Sequence, residues 1–209
     1  MTDSILFATP CYAGQLTEPF FHSAMRTVQT LEQLGVRYDW LTEKNESLVH
    51  RARMEMTATF LKTAHSHLFW IDSDIEFSPE DVAALWNLNA DISCGCYAMK
   101  KRDKQWFAAW KDGKLVKDLD QFDGPIEVDY CGTGFLLIRR EVIETLAAKA
   151  ERWEGANGPV PALFMTPIHN GCLESEDYHF CRIAREAGYK IMMEPNVRLG
   201  HYGQYRFGS

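Results

Sequence analysis

Two aspartates, Asp72 and Asp74, follow an apolar run in the stretch HLFWIDSDIEFSPEDV, residues 67–82. The apolar run predicts a buried strand that ends at the pair. Two carboxylates this close repel each other unless a positive charge lies between them. Their oxygens are suitable ligands for Mg²⁺ or Mn²⁺, and phosphates and water can complete the coordination. The pair is therefore either a metal-binding strand end or a solvated turn, and the buried strand before it favours the metal.

Basic residues occur at two other places where a diphosphate could bind. Lys100-Lys101-Arg102 follows another predicted strand, and Arg51 and Arg53 lie in the first turns of a helix that Ser47 could cap. A helix N-terminus with arginines beside it binds anions readily. The two arginines lie on different helical faces, so we expect only one of them to reach a shared site. The alternative is a solvated helix face.

A third group of polar residues lies near the end of the chain. Glu174, Glu176 and Asp177 cluster where a helix is expected to start, and His201 follows the last predicted strand. A helix dipole favours acids at its N-terminus without any catalytic purpose, and that explanation suffices for Glu176. One of these carboxylates could instead act as a general base towards an attacking hydroxyl. Imidazole is a common transition-metal ligand, although a single histidine is often only a polar surface residue.

The first hundred residues alternate between predicted strands and helices. The stretch SILFATPCYAG predicts a buried strand from Ile5 to Ala8 that turns at Thr9-Pro10. A helix stopped by Gly35 should follow, with its buried face formed by Phe21, Ala24, Val28 and Leu31. Further strands and helices repeat the pattern, which predicts a mostly parallel sheet covered by helices on both faces. Ligands of such sheets bind beyond the carboxyl ends of the strands, where the acidic and basic groups fall.

The second half of the chain has a different pattern. Residues 105–119 predict a hairpin that turns at Asp112-Gly113, and residues 126–140 predict two strands separated by Gly132-Thr133-Gly134. A helix is expected from Glu141 to about Ala150. Residues 151–173 contain several Pro and Gly and show no period, so we expect a long irregular loop, either a functional flap or disordered. A helix capped by Ser175 and a closing strand complete one domain over residues 1–209.

Composition excludes several classes of protein. The chain has 209 residues, of which 46% are hydrophobic and 24% charged, so extensive disorder is not expected. The net charge of −7 argues against a nucleic-acid partner, which would usually face a basic surface. No stretch is long and apolar enough to span a membrane, and no signal peptide is recognisable. The six cysteines lack zinc-site spacing, so we expect reduced thiols and a cytoplasmic protein.

Taken in order, these motifs resemble the GT-A glycosyltransferases, most closely the small family-2-like enzymes of bacteria and large viruses. The resemblance covers nearly the whole chain, from FATPCYAG through SLVHRAR, FWIDSDIEF and CGTGFLLIRREVIE to SEDYHFCRIAREAGYKIMMEPNVRLGHYG. It implies an α/β, GT-A fold with a small antiparallel hairpin region. Residues 1–100 would form the nucleotide-binding half and residues 101–209 the sugar and acceptor half. The implied activity is hexosyl transfer with inversion, from a nucleoside-diphosphate sugar, with a UDP-sugar as the first choice, to a glycan or another hydroxyl acceptor.

The resemblance also implies roles for individual residues. The nucleotide would lie against Thr9, Pro10, Cys11 and Tyr12, with help from Arg51 or Arg53. Asp72 would face the ribose, while Asp74 and His201, with Asp72 nearby, would hold Mn²⁺ or Mg²⁺ on the diphosphate. Lys100 could add charge there. The sugar would lie against Gly132, Thr133 and Gly134. Asp177 would be the catalytic base, with Glu176 beside it.

Two other readings of the sequence remain open. A phosphatase of the haloacid dehalogenase type also places Asp-x-Asp after a strand, but its motif normally lies near the start of the chain and needs a later Gly-Asp-x-x-x-Asp, which is absent. A non-catalytic nucleotide-sugar or glycan-binding module would share the fold without turnover. Trp106 and Trp110 could stack on sugar rings in an enzyme or in a binding module.

Overall fold

The computed structural model describes residues 3–101, 106–203 and 205–207. The helices in chain order are α1 (Glu18–Leu34), α2 (Val49–Leu61), α3 (Pro79–Asn87), α4 (Arg140–Lys149) and α5 (Glu176–Glu186). The strands in chain order are β1 (Ser4–Cys11), β2 (Arg37–Lys44), β3 (His67–Ile71), β4 (Ile75–Glu76), β5 (Ile92–Tyr97), β6 (Ala109–Lys111), β7 (Lys114–Leu115), β8 (Ile126–Val128), β9 (Tyr130–Cys131), β10 (Phe135–Arg139), β11 (Arg152–Gly155), β12 (Gly158–Pro161), β13 (Ile168–His169), β14 (Cys172–Leu173), β15 (Ile191–Tyr202) and β16 (Arg206–Phe207).

The central sheet is mixed, with strand order β16-β15-β5-β10-β3-β1-β2, and β4 and β8 pair with β15. The pairs β1–β2, β1–β3 and β5–β15 are parallel, whereas β10 runs antiparallel between β3 and β5. The mostly parallel sheet that the sequence predicts is therefore interrupted by a strand from the second half of the chain. Alternation of elements indicates which strands exist, but it does not reveal that a later strand is inserted between two earlier ones.

Helices cover both faces of the sheet, as predicted. One apolar cluster contains buried residues of α1 and α3, including Phe20 and Leu85, and the other contains residues of α2, α4 and α5, including Phe60, Ile143 and Phe180. A sheet buried on both faces needs apolar side chains in both directions along each strand. The buried strand β3, with Leu68 through Ile71 all inaccessible, meets that need.

The first two helices differ from the sequence prediction in detail. Helix α1 buries Phe20, Ser23, Thr27 and Leu31, so its inner face is shifted by one residue from the predicted one, and Phe21 is 48% exposed. Two of the buried positions are the polar residues Ser23 and Thr27, so the pattern of hydrophobic residues does not reveal this face. Helix α2 has Leu48 as its N-cap with no side-chain cap, so the cap predicted at Ser47 is wrong.

Two predictions for the second half are confirmed and one is wrong. The β6–β7 hairpin turns at Asp112 and Gly113, whose positive φ angles of 50° and 70° suit a two-residue turn, although Gln105 of its predicted range lies outside the described residues. Helix α4 matches its prediction closely. Residues 151–173 are not an irregular loop, because they form two short hairpins, β11–β12 and β13–β14. The glycines that indicated a loop instead supply the turns, as Gly158 and Gly171 do with positive φ.

No helix within the described ranges is long and apolar enough to cross a membrane. All six cysteines are free thiols, and five of them are buried.

Candidate functional site

The Asp72-Ser73-Asp74 segment is a tight turn between β3 and β4. The amide of Asp72 donates to the carbonyl of Gly134, and the carbonyl of Asp72 accepts from Ile75 N at 3.1 Å. The carbonyl of Asp74 accepts from Tyr202 N at 2.8 Å. These bonds fix the turn between β10 on one side and β15 on the other, so the two carboxylates lie at the carboxyl edge of the sheet in a defined position.

Asp74 meets two basic side chains. Its Oδ1 lies 3.6 Å from Nε2 of His201, and its Oδ2 contacts Nζ of Lys100. Burial raises the pKa of Asp74, but the hydrogen bonds and charges of His201 and Lys100 outweigh burial and hold the pKa below its ordinary value. Asp74 is thus an ionised carboxylate with an imidazole on one side and an ammonium group on the other. The structure brings these three predicted site residues together.

The Asp74–His201 pair suits a divalent cation. Nδ1 of His201 lies 2.8 Å from the carbonyl oxygen of Ala98, which can only accept, so Nδ1 carries a proton and Nε2 is the ring nitrogen that faces Asp74. A backbone partner of this kind orients most metal-binding histidines. Within the described ranges no group of three or more His, Cys, Asp and Glu side chains forms a metal site. If Asp74 and His201 are the protein ligands, Mg²⁺ or Mn²⁺ would take its others from phosphate and water, as these ions commonly do.

Arg53 links the Asp72 turn to the start of α5. Its guanidinium is buried, with Nη2 2.8 Å from Asp72 Oδ1 and Nε 3.7 Å from Glu176 Oε1. Burial lowers the pKa of Arg53, but the charges of Asp72 and Glu176 outweigh it and raise the pKa. Its Nε and Nη1 are buried and make no hydrogen bond to the part of the chain that the structure describes. Arg51 instead pairs with Glu46 at 2.6 Å and is half exposed, so only one of the two arginines reaches the site.

Asp177 lies in the first turn of α5 and is largely withdrawn from solvent. Its Oδ1 accepts hydrogen bonds from Ser175 Oγ and, at 2.8 Å, from Tyr178 N. Burial, with the neighbouring charge of Glu176, raises the pKa of Asp177 from its ordinary value of 3.8 to about 6. The helix dipole alone would lower this pKa, so burial and the second carboxylate have the larger effect. A carboxyl group with a pKa near 6 is a stronger base than an ordinary aspartate and is still ionised at neutral pH.

The Gly132-Thr133-Gly134 segment packs tightly against Tyr97, at the end of β5. A Cβ on Gly132 would lie 2.0 Å from the Tyr97 hydroxyl oxygen, and one on Gly134 would lie 2.9 Å from Tyr97 Cζ and 3.1 Å from Asp72 Oδ2. The Tyr97 hydroxyl accepts from Gly134 N at 3.0 Å, and its ring lies 5.2 Å from that of His201. Burial and the charges of Asp72 and Asp177 raise the pKa of Tyr97 well above its ordinary value.

Tyr97 is therefore central to the site, yet sequence reasoning missed it. The one available signal was an aromatic residue at the end of an apolar strand, ISCGCY, and that pattern is ordinary for a core residue. Thr133 itself is buried, so its side chain does not line an open surface.

The segment predicted to hold the nucleotide is only partly accessible. Strand β1 pairs with β2 as far as Cys11, so the turn predicted at Thr9-Pro10 is wrong. Thr9 is fully buried and its Oγ1 accepts from Trp40 Nε1 at 3.0 Å, which makes the Thr9 hydroxyl unavailable to a ligand. Cys11 is buried, and burial and the Asp72 charge raise its pKa. Tyr12, beyond the strand, is 71% exposed at the edge of the sheet.

Comparison with known proteins supports the fold. No protein-family model matches the chain, and no curated protein matches it. Among solved structures, the chain is similar to A197 from STIV, with 21% identity over 96% of this chain and 86% of that one and a TM-score of 0.61. It is also similar to GalNAc-T7, solved with UDP, GalNAc and Mn²⁺, with 11% identity over 98% of this chain but 43% of that one and a TM-score of 0.59. These likenesses show that the chain has a GT-A fold.

Proposed function

We propose that the protein is a metal-dependent glycosyltransferase that moves a hexosyl group from a nucleoside-diphosphate sugar to a hydroxyl acceptor with inversion. One observation carries the proposal. Asp177, a carboxylate with its pKa raised to about 6, lies beside Glu176, and Arg53 joins Glu176 to Asp72 at the edge of the sheet where Asp74 meets His201. A base and a cation site at one such edge are the two parts that sugar transfer from a diphosphate needs.

The donor would lie along the carboxyl edge of residues 1–100, the proposed nucleotide-binding half. Tyr12, Pro10 and the backbone near Cys11 would contact the nucleoside, and Asp72 would face the ribose. The Lys100 ammonium group would leave Asp74 and bind the diphosphate. UDP is our first choice of nucleotide, because the structurally similar GalNAc-T7 was solved with UDP and Mn²⁺.

Asp74 and His201 would hold Mn²⁺ or Mg²⁺. When bound, the cation acts as a Lewis acid that neutralises the charge of the diphosphate. Asp74 remains ionised because its pKa is lowered, so it is ready to bind a cation at neutral pH. The hydrogen bond from His201 Nδ1 to Ala98 keeps Nε2 directed at the same point.

Asp177 would act on the acceptor. The acceptor oxygen forms a bond to the anomeric carbon, the bond between that carbon and the diphosphate oxygen breaks, and the hydroxyl proton passes to Asp177. Attack from the side opposite the diphosphate inverts the anomeric configuration. Glu176 would not accept the proton. Its contact with Arg53 would instead hold the guanidinium near Asp72. The sugar would lie between these groups and the backbone of Gly132 to Gly134.

The contact between Lys100 and Asp74 favours a second candidate, a nucleotide-sugar-binding module without turnover. An ammonium group on Asp74 already supplies the positive charge that the carboxylate needs. In such a module Lys100 would replace the cation and ligand binding would not depend on metal.

The phosphatase interpretation has no comparable support, because the chain has a GT-A fold. A cytoplasmic location and a single domain remain predictions.

A donor screen tests the proposal. Thermal unfolding is measured with UDP-, GDP-, dTDP- and CMP-sugars, each with Mn²⁺ and with a chelator, and nucleoside-diphosphate release is measured in the same samples. A donor at a hundred times its Kd should raise Tm by about 5–10 °C. We expect stabilisation and release with Mn²⁺ and neither with the chelator. Stabilisation that is equal in the chelator, without release, supports the binding module instead.

A further inference from the structure

The β6–β7 hairpin and the segment after it form a groove that the proposed donor chemistry does not use. The groove has a volume of about 760 Å³ and includes Trp106 and Trp110 in its lining. Trp106 and Trp110 are four residues apart, and a fully extended chain of that length, about 13 Å, sets the upper limit of their backbone separation. The volume lies in the range of ordinary ligand-binding pockets.

The groove is linked through Trp110 to the helix that carries the proposed catalytic base. Nε1 of Trp110 donates to the Tyr178 hydroxyl at 2.7 Å, and Tyr178 follows Asp177 in the first turn of α5. Strand β6 pairs with β9, and Gly132 N donates to the carbonyl of Ala108 at 2.8 Å. The hairpin is therefore bonded on one side to the helix that carries the base and on the other to the glycine segment proposed for the sugar.

The lining combines ring faces with side chains that bind hydroxyl groups. Besides the two indoles, it includes three lysines and two aspartates (Lys111, Lys114 and Lys117, with Asp112 and Asp118). Lys111 and Asp112 are 3.5 Å apart, and Lys101 lies 4.5 Å from the Trp106 ring centroid. The three lysines and two aspartates of the lining leave a net charge of +1, and Lys101 beside Trp106 adds one more, so the groove is weakly basic and lacks the strong positive charge that holds a polyanion. Indoles offer an apolar face to the C–H face of a sugar ring, and lysine, aspartate and glutamine bind its hydroxyls. At Trp106 the sugar would take the place of the Lys101 and Lys117 ammonium groups, which lie 4.5 and 6.0 Å from the ring centroid.

We propose that this groove is the acceptor subsite and that the acceptor is a neutral carbohydrate chain of more than one sugar, bound along Trp106 and Trp110. The inference rests on the proposed glycosyl transfer. A chain of sugars suits the reaction because each ring carries hydroxyls and each can stack on an indole, so the ring next to Trp110 would present a hydroxyl towards Asp177. A peptide could also lie in an aromatic groove, and binding of a peptide is the competing result in the test.

Calorimetry on the full chain tests the groove with defined probes: a neutral trisaccharide and pentasaccharide, a uronic-acid oligosaccharide of equal length and a proline-rich peptide. We expect the neutral pentasaccharide to bind most tightly. Trp106→Ala should weaken its binding at least tenfold, and Trp110→Phe should weaken it as well. Trp86→Ala is the matched control, because Trp86 packs against His67 at the opposite end of β3 and should leave binding unchanged.

The outcomes separate this inference from the proposed function. Binding of the peptide in preference to the sugars, binding of no oligosaccharide, or equal losses in Trp106→Ala and Trp86→Ala would overturn the acceptor assignment even when donor binding and release are normal. Failure of every nucleotide sugar to bind, with neutral oligosaccharides still bound through Trp106, would overturn the transferase and leave a glycan-binding groove. If the far-UV spectrum of Trp110→Phe shows that this variant is unfolded, the binding measured for Trp106→Ala alone decides the test.

Discussion

Replacing Asp177 by asparagine should remove the base without changing the shape of the site. Asparagine keeps an oxygen that can accept the bonds from Ser175 Oγ and Tyr178 N, so α5 should begin at the same residue. General-base catalysis typically contributes about 10²–10⁴-fold to a rate. We therefore expect the transfer rate of Asp177→Asn to fall by at least about a hundredfold, with donor affinity little changed because the donor contacts lie at the Asp72 turn.

The pKa of Asp177 sets the pH profile of the wild-type protein. With a pKa of about 6, the carboxyl group is about 90% ionised at pH 7 and about 10% ionised at pH 5. Because the base must be ionised to accept a proton, the rate should fall about tenfold between pH 7 and pH 5. A group with an ordinary pKa of 3.8 would leave the rate nearly flat over the same interval.

The same burial predicts an effect on stability with a definite sign. The pKa of Asp177 is higher in the folded protein than in the unfolded one, so the folded state binds more protons between about pH 4 and 6 and this group's contribution to stability decreases as pH rises through that window. A shift of about two units corresponds to at most about 3 kcal/mol. Asp177→Asn should therefore be more stable than wild type at pH 8, and the difference should shrink towards pH 4.

The assay combines three measurements on wild type, Asp177→Asn and the control Glu176→Gln. Initial rates with saturating donor and Mn²⁺ give the catalytic loss, urea unfolding at pH 8 and pH 4.5 gives the stability difference, and NMR of the product gives its anomeric configuration. Glu176→Gln should lose less activity, since Glu176 acts through Arg53. A near-normal rate in Asp177→Asn, or a product that keeps the anomeric configuration of the donor, would refute the role given to Asp177.

Three further predictions concern the groups around the base. Gly134→Ala should lower the free energy of unfolding by about 1–3 kcal/mol, because a Cβ would lie 2.9 Å from Tyr97 Cζ. Gly113→Ala, at an open turn with positive φ, is the backbone control in the urea titrations. An equal loss of stability in both variants would contradict a packing cause. His201→Gln should abolish the stimulation of nucleoside-diphosphate release by Mn²⁺, measured by titrating the metal. An unchanged titration curve would show that the cation binds elsewhere. Arg53→Met should lower stability by about 3 kcal/mol in the same urea assay, because it leaves two acids without their buried partner, and a change below half a kcal/mol would contradict the importance of that pair.

Much of the site could be predicted from the sequence because strand ends are visible in a hydrophobic pattern. The run HLFWI ends at Asp72, the closing strand ends near His201, and the acids of ESED open a helix, so their meeting at one sheet edge follows from the α/β architecture. The hairpin at Asp112-Gly113 was equally clear, because that dipeptide is the usual signal for a two-residue turn.

Features that depend on three-dimensional packing could not be predicted in this way. The insertion of β10 between β3 and β5 is a long-range pairing without a local signal. The buried face of α1 includes Ser23 and Thr27, which hydrophobic periodicity overlooks. The importance of Tyr97 arises from its approach to two glycines that lie more than thirty residues further along the chain. The raised pKa of Asp177 reflects burial, whereas the sequence showed only its place at a helix start.

The central claim is that the Asp74–His201 edge binds a nucleoside diphosphate together with a divalent cation. Isothermal titration of UDP, GDP and dTDP into the wild-type protein with Mn²⁺, repeated in excess chelator and with Asp74→Ala, tests it most directly. We predict that one diphosphate binds to wild type with Mn²⁺ and that both the chelator and Asp74→Ala weaken its binding at least tenfold. Full-affinity binding in the chelator, or the absence of binding by all three diphosphates, would contradict the claim.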